Sequence, residues 1–84
     1  MKNSAEIYGF IIKSEREKRK LSLQAFANLL EIEKGYLWNI EKGRANMTCK
    51  YFDRLITKIG YSPKEFFMPV LNYYINKTNS INKN

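Results

Sequence analysis

The stretch "LSLQAFANLLEIEKGYLWNIEKGR", Leu21 to Arg44, decides how this chain folds. It divides at "EIE" (31–33) into two short amphipathic runs. In the first, Ser22 is a good N-cap, and Leu21 before it can staple to Phe26. Ala25, Phe26, Leu29 and Leu30 give the run an apolar side, so the spacing predicts a helix, helix two, after Ser22. In the second run, residues three and four apart share a face, which groups Leu37, Ile40 and Glu41. Lys34, Gly35, Trp38 and Asn39 fall on the other side. Gly43 closes this helix, helix three, predicted over about 33–42. The chain's only tryptophan thus stands on the face that looks to water, beside an amide and a lysine.

The flanks supply more helices. Helix one is predicted from about Ser4 to Arg19, with Ile7, Tyr8, Ile11 and Ile12 as its apolar stripe. After the loop "RANM", Thr48 caps helix four, in which Phe52, Leu55, Ile56 and Ile59 share a face and Gly60 ends the run. "YSPKEFF" reads as a fifth helix start: Ser62 as N-cap, Pro63 at the first position, Glu65 closing a capping box, Tyr61 and Phe66 as staple. Pro69 stops it. Strand signals are nearly absent and no internal repeat is visible, so the fold class is all-α, one compact five-helix domain over 1–69. Residues 70–77 are an apolar C-terminal extension, ambiguous between helix and strand. Val70, Leu71, Tyr73, Tyr74 and Ile75 in it are expected either to cover Ile7 and Phe10 or, the favoured reading, to form a two-fold dimer contact. The polar tail 78–84 is expected to be disordered.

Composition narrows the function. An 84-residue chain is one domain with a modest core. Its net charge of +7 points to a polyanion, most often nucleic acid, although solubility alone can explain a basic excess. The excess lies in the flanks: residues 21–44 hold three basic and three acidic side chains. No histidine is present, so there is no imidazole base or histidine metal ligand, and the single Cys49 cannot build a disulfide or a thiolate metal cluster. Cys49 is expected to be a small core residue, with a sensor thiol as the alternative. No phosphate-binding glycine loop follows a strand. No apolar run is long enough for a membrane, and the N-terminus lacks a signal-peptide pattern, so a cytoplasmic location is expected. The reading is a non-enzymatic protein with no cofactor and no metal.

The segment from about Ile12 to Phe67, roughly two thirds of the chain, resembles the phage Cro/repressor helix-turn-helix proteins, also called the xenobiotic-response-element family. The resemblance is carried by Arg16, Leu21–Ser22, Phe26–Ala27, Ile32, Tyr36–Leu37, "IEKG" at 40–43, Thr48, Phe52, Leu55, Ile59 and Gly60. It implies a lambda-repressor-like DNA-binding domain with helix three in the major groove and helix two across the backbone. By position, it implies base contacts from Lys34, Gly35 and Asn39, with Trp38 flanking them. It implies backbone contacts from Leu23 or Gln24 and from Arg44, Asn46 and Lys50. It also implies a structural ion pair between Arg16 and Glu41. At three positions the chain departs from the family: Glu31 stands where glycine is common in the turn, Glu33 at the usual small N-cap of helix three, and Leu23 in place of glutamine. The two acids would repel phosphates, and Lys13, Lys18, Lys20, Arg44 and Lys50 are the cations that would offset them if they line the same face.

Chemistry fits that geometry. Asn39 can bond adenine bidentately, Lys34 can reach guanine or phosphate, Gly35 lets the backbone approach, and Trp38 can pack on thymine methyls. The alternative for Trp38 is a dimer or partner contact, and for Asn39 a solvated helix position. The function expected is a sequence-specific DNA-binding transcriptional regulator, a homodimer on double-stranded DNA. The alternative is a protein-interaction module, antitoxin-like or adaptor, that uses Trp38, Tyr36, Glu31 and Glu33 on a protein partner.

Overall fold

Short polar side chains set where most of the helices begin. In the computed structural model of the chain, which describes residues 3–61, Asn3, Ser22 and Thr48 are N-caps. Their side-chain oxygens accept from the backbone N–H of Glu6 (2.9 Å), Ala25 (3.1 Å) and Tyr51 (3.0 Å). The helices so started are α1 (Ser4–Lys18), α2 (Leu23–Leu30) and α4 (Cys49–Lys58); α3 (Lys34–Glu41) lies between the last two and starts at Glu33 with no side-chain cap. Asn3 and Glu6 form a reciprocal capping box that the sequence reading, which began the helix at Ser4, did not find. All regular structure among the described residues is helical. The expected fifth helix, the extension 70–77 and the tail 78–84 lie outside the described residues.

One core holds the four helices. Ile12 from α1, Phe26, Ala27 and Leu30 from α2, Leu37 and Ile40 from α3, and Phe52, Leu55 and Ile56 from α4 are buried together with Ile59. α3 packs on both α1 and α2, and α2 also meets α4. The inward side of α2 is Phe26, Ala27 and Leu30; Ala25 is only half-buried and Leu29 is exposed, against expectation. Two turns of helix offer one narrow apolar stripe, and the core lies on its 26–27–30 side. Cys49 is also corrected. It is exposed at the first position of α4, ahead of that helix's apolar stripe, and not a core residue.

The contact of α1 with α3 is close enough to need glycine. A Cβ on Gly9 would sit 2.1 Å from the Ile40 carbonyl oxygen and 3.2 Å from the Gly43 nitrogen. Real Cβ atoms do not approach backbone that closely, so any side chain at 9 must push α1 away from the end of α3. Gly43 has φ +73°, a left-handed conformation that glycine adopts without strain, and turns the chain back after α3.

Several cations are used up in holding helices together. Arg19 Nη2 donates to the Ile59 carbonyl (2.9 Å) at the end of α4, and Lys58 Nζ to the Leu30 carbonyl (3.1 Å) at the end of α2. Helix C-termini carry unsatisfied carbonyls and partial negative charge, so a neighbour's cation there satisfies both. The buried carboxylate of Glu15 is paired with Arg19 and lies 3.8 Å from Lys18. Lys18 also donates to the Tyr61 hydroxyl (3.2 Å).

Candidate functional site

The helix α3 is amphipathic over two turns, and its outward face is Lys34, Gly35, Trp38 and Asn39, all exposed. Leu37 and Ile40 anchor its other side. Nothing lies within 4 Å of where a Gly35 Cβ would be, so this part of the helix surface is open. Trp38 keeps 43 % of its surface exposed, an unusual amount for a side chain of that size. The Asn39 side chain is exposed, so the donor and acceptor of its amide face solvent.

Arg16 and Glu41 meet behind this face. Arg16 Nε donates to Glu41 Oε2 (2.7 Å) and Nη2 to Oε1 (3.0 Å), a two-bond fork, while Nη1 donates to the Leu21 carbonyl (3.1 Å). The Glu41 side chain is 6 % exposed and that of Arg16 19 %. The hydrogen bond to Glu41 pushes the Arg16 guanidinium above its ordinary value, against the opposing pull of burial. The pair ties the end of α3 to α1 and to the entry of α2, and so fixes how the outward face is presented.

Beside Trp38 runs an open groove of about 200 Å³, lined by Lys13, Arg16, Leu23, Trp38, Glu41 and Lys42. Its one carboxylate is held by Arg16, so Lys13 and Lys42 leave it electropositive. Comparison of the chain with protein-family models, curated proteins and solved structures finds no match. The chemistry of the face has to be read from its own residues.

Those residues sort by charge partner. Arg16, Lys18, Arg19 and Lys58 are in ion pairs. Lys13, Lys20, Lys34, Lys42, Arg44, Lys50 and Arg54 have no carboxylate partner among the described residues. Of the cations expected to offset the acids, Lys13 thus lines the groove, whereas Lys18 is turned to Glu15 and Tyr61. Leu23 lines the groove at the start of α2, Gln24 is bonded to Asn28 (3.0 Å), and Arg44, Asn46 and Lys50 are exposed after α3.

Two features of the site were not read from the sequence. Lys42 Nζ lies 5.3 Å from the centre of the Trp38 ring, and Arg44 Cζ 5.2 Å from it. The four-residue step from Trp38 to Lys42 is the signal that announces the first contact. The second feature is backbone strain. Glu31, the C-cap of α2, has φ 60° and ψ 42°, the left-handed region that disfavours a side chain. Its carboxylate lies 3.6 Å from Lys58 Nζ and is exposed, as is Glu33. At the far end of α4, Cys49 Sγ and the Tyr8 hydroxyl are 2.8 Å apart, and Tyr8 stacks on Phe52. Burial, and then the Cys49 contact, push the Tyr8 phenol up to about 12. Among the described residues no group of three acidic, cysteine or histidine side chains is placed to hold a metal, and no helix is long and apolar enough to cross a membrane.

Proposed function

We propose that the chain is a sequence-specific DNA-binding transcriptional regulator that lays α3 in the major groove. The observation that carries this reading is the exposed face Lys34–Gly35–Trp38–Asn39 on a helix braced from behind by α1 and α2. A major groove admits one helix, and this face offers it a bidentate amide, a cation, an apolar plate and a place for close approach. Leu23, Gln24, Arg44, Asn46 and Lys50 border it and are assigned to the DNA backbone. Phosphate neutralisation by cations without a carboxylate partner supplies affinity, and α3 supplies discrimination. The order of the four helices suits a lambda-repressor-like domain completed by a fifth helix over 62–69, acting in the cytoplasm as a homodimer on a two-fold operator. No catalytic residue, cofactor or metal is assigned.

The exposed acids Glu31 and Glu33, at the leading end of α3, favour a second reading. An anion there is unwelcome beside phosphate and welcome beside a basic protein, so the rival is an interaction module, antitoxin-like or adaptor, using the same face. Fluorescence anisotropy of a labelled random duplex, titrated at several salt concentrations, separates the two. Binding at micromolar concentration, with log K falling against log salt at a slope on the order of −3 to −4 for about four neutralised phosphates, supports the DNA reading. Absence of salt-sensitive binding overturns it.

A further inference from the structure

Trp38 is not a loose side chain waiting for a partner. The backbone N–H of Lys42 is bonded to the Trp38 carbonyl (3.0 Å), and that of Arg44 to the Asn39 carbonyl (3.0 Å). These bonds, with the left-handed turn at Gly43 between them, bring both cations back over the indole at 5.3 and 5.2 Å. Cations at that range are attracted to the ring's negative face. Neither cation has a carboxylate partner among the described residues to draw it away. The turn also packs closely on α1: a Cβ at Gly43 would lie 3.1 Å from Glu6 Cγ and 3.2 Å from Glu6 Cα.

We infer that Lys42 and Arg44 clamp the Trp38 indole as a preformed apolar plate that reads a thymine C5-methyl group in the major groove. The inference rests on the DNA reading above and names what the plate selects. The thymine methyl is the one apolar group on a major-groove base edge, so a fixed indole beside the Asn39 amide has that group as its matching target. Fixing the ring beforehand removes the ordering cost at the moment of binding. Arg44 therefore acts as a positioning residue through Trp38, besides any phosphate it meets.

The test uses the full chain and duplexes selected from a random DNA library, in which each thymine in turn is replaced by uracil. That change removes the methyl group alone. At one or two positions per half-site the parent is expected to bind the uracil duplex about fourfold more weakly, the factor given by ~0.8 kcal/mol for burying one such group. Trp38→Ala should bind both duplexes equally. Arg44→Ala should lose most of the thymine preference, and Arg44→Lys should keep it. Since Trp38 is the sole tryptophan, its fluorescence reports the clamp without DNA: acrylamide quenching should rise in Arg44→Ala and not in Arg44→Lys. Equal parent affinity for thymine and uracil duplexes overturns the inference and leaves the DNA reading standing. So does a Trp38→Ala protein that still prefers thymine, or an Arg44→Ala protein weakened by one factor on both duplexes. A library that yields bound DNA without an enriched site overturns the inference together with the sequence specificity proposed above. No binding to any duplex removes the DNA reading itself.

Discussion

Replacing Glu41 by alanine is the sharpest test of how the candidate site is supported. Glu41 accepts two hydrogen bonds from Arg16, at 2.7 and 3.0 Å, and its side chain is nearly enclosed. Alanine at 41 leaves the Arg16 guanidinium with the Leu21 carbonyl alone, in a place that is mostly shielded from water. Breaking a pair of this kind by removing one partner typically costs ~3–5 kcal/mol, because the remaining charge is uncompensated. A domain of this size has a total stability of only ~4–13 kcal/mol. A loss of 3 kcal/mol would lower the midpoint of thermal unfolding by ~12–24 °C. Far-ultraviolet circular dichroism on heating and in urea measures this directly. Two variants refine the result. Glu41→Gln keeps the volume and an acceptor and should lose clearly less. The double replacement Arg16→Met/Glu41→Leu removes both charges and should recover much of the loss, since a well-packed apolar pair often matches a buried ion pair. A Glu41→Ala midpoint within ~3 °C of the parent would refute the bracing role of the pair. A double variant no more stable than Glu41→Ala would place the loss in packing and not in the stranded charge.

Four further substitutions probe the backbone and the Tyr8 contact. Gly9→Ala should destabilise by ~2 kcal/mol or more in urea unfolding, because the added carbon meets the Ile40 carbonyl oxygen, whereas Gly35→Ala, with open space around it, should stabilise by up to ~1 kcal/mol. Glu31→Gly should raise stability by ~1 kcal/mol, since relief of the left-handed strain outweighs the exposed contact with Lys58, and should tighten DNA binding by removing a negative charge beside α3. The Tyr8 phenol, held up to about 12 against an ordinary 10, keeps its proton in the folded chain at pH values where the unfolded chain releases it. Stability should therefore fall as pH rises from 10 toward 12, by a margin that shrinks in Tyr8→Phe when urea midpoints are compared at pH 9 and 11; burial also raises the Tyr36 phenol, which keeps part of the fall in that variant.

Much of the fold was legible because local signals agreed. Ser22 and Thr48 precede apolar stripes whose spacing matches one helical face, and Phe26, Leu30, Leu37, Ile40, Leu55 and Ile56 are buried accordingly. What was not legible depends on how neighbouring elements approach. Gly9 reads as an ordinary weak point in a helix until the Ile40 carbonyl is seen against it. Leu29 and Ala25 obey the helical period but sit at the margin of a stripe whose direction is set by how α2 packs on α3 and α4. Glu15 carries no signal of burial in the sequence, yet it is buried and paired with Arg19, whose guanidinium also reaches the end of α4. At the candidate site, the outward placement of Trp38 followed from periodicity, but the return of Arg44 over it depends on the turn at Gly43, which no pattern of apolar residues encodes.

On the proposed function, the outward face of α3 meets DNA. Amide chemical-shift mapping of the isotope-labelled chain, titrated with a library-selected duplex, tests it residue by residue. Shifts should concentrate on Lys34–Asn39, at the start of α2 around Leu23 and Gln24, and along Arg44–Lys50, with the Lys18, Arg19 and Lys58 side unmoved. Shifts centred on that opposite side, or none at all at saturating duplex, would contradict it.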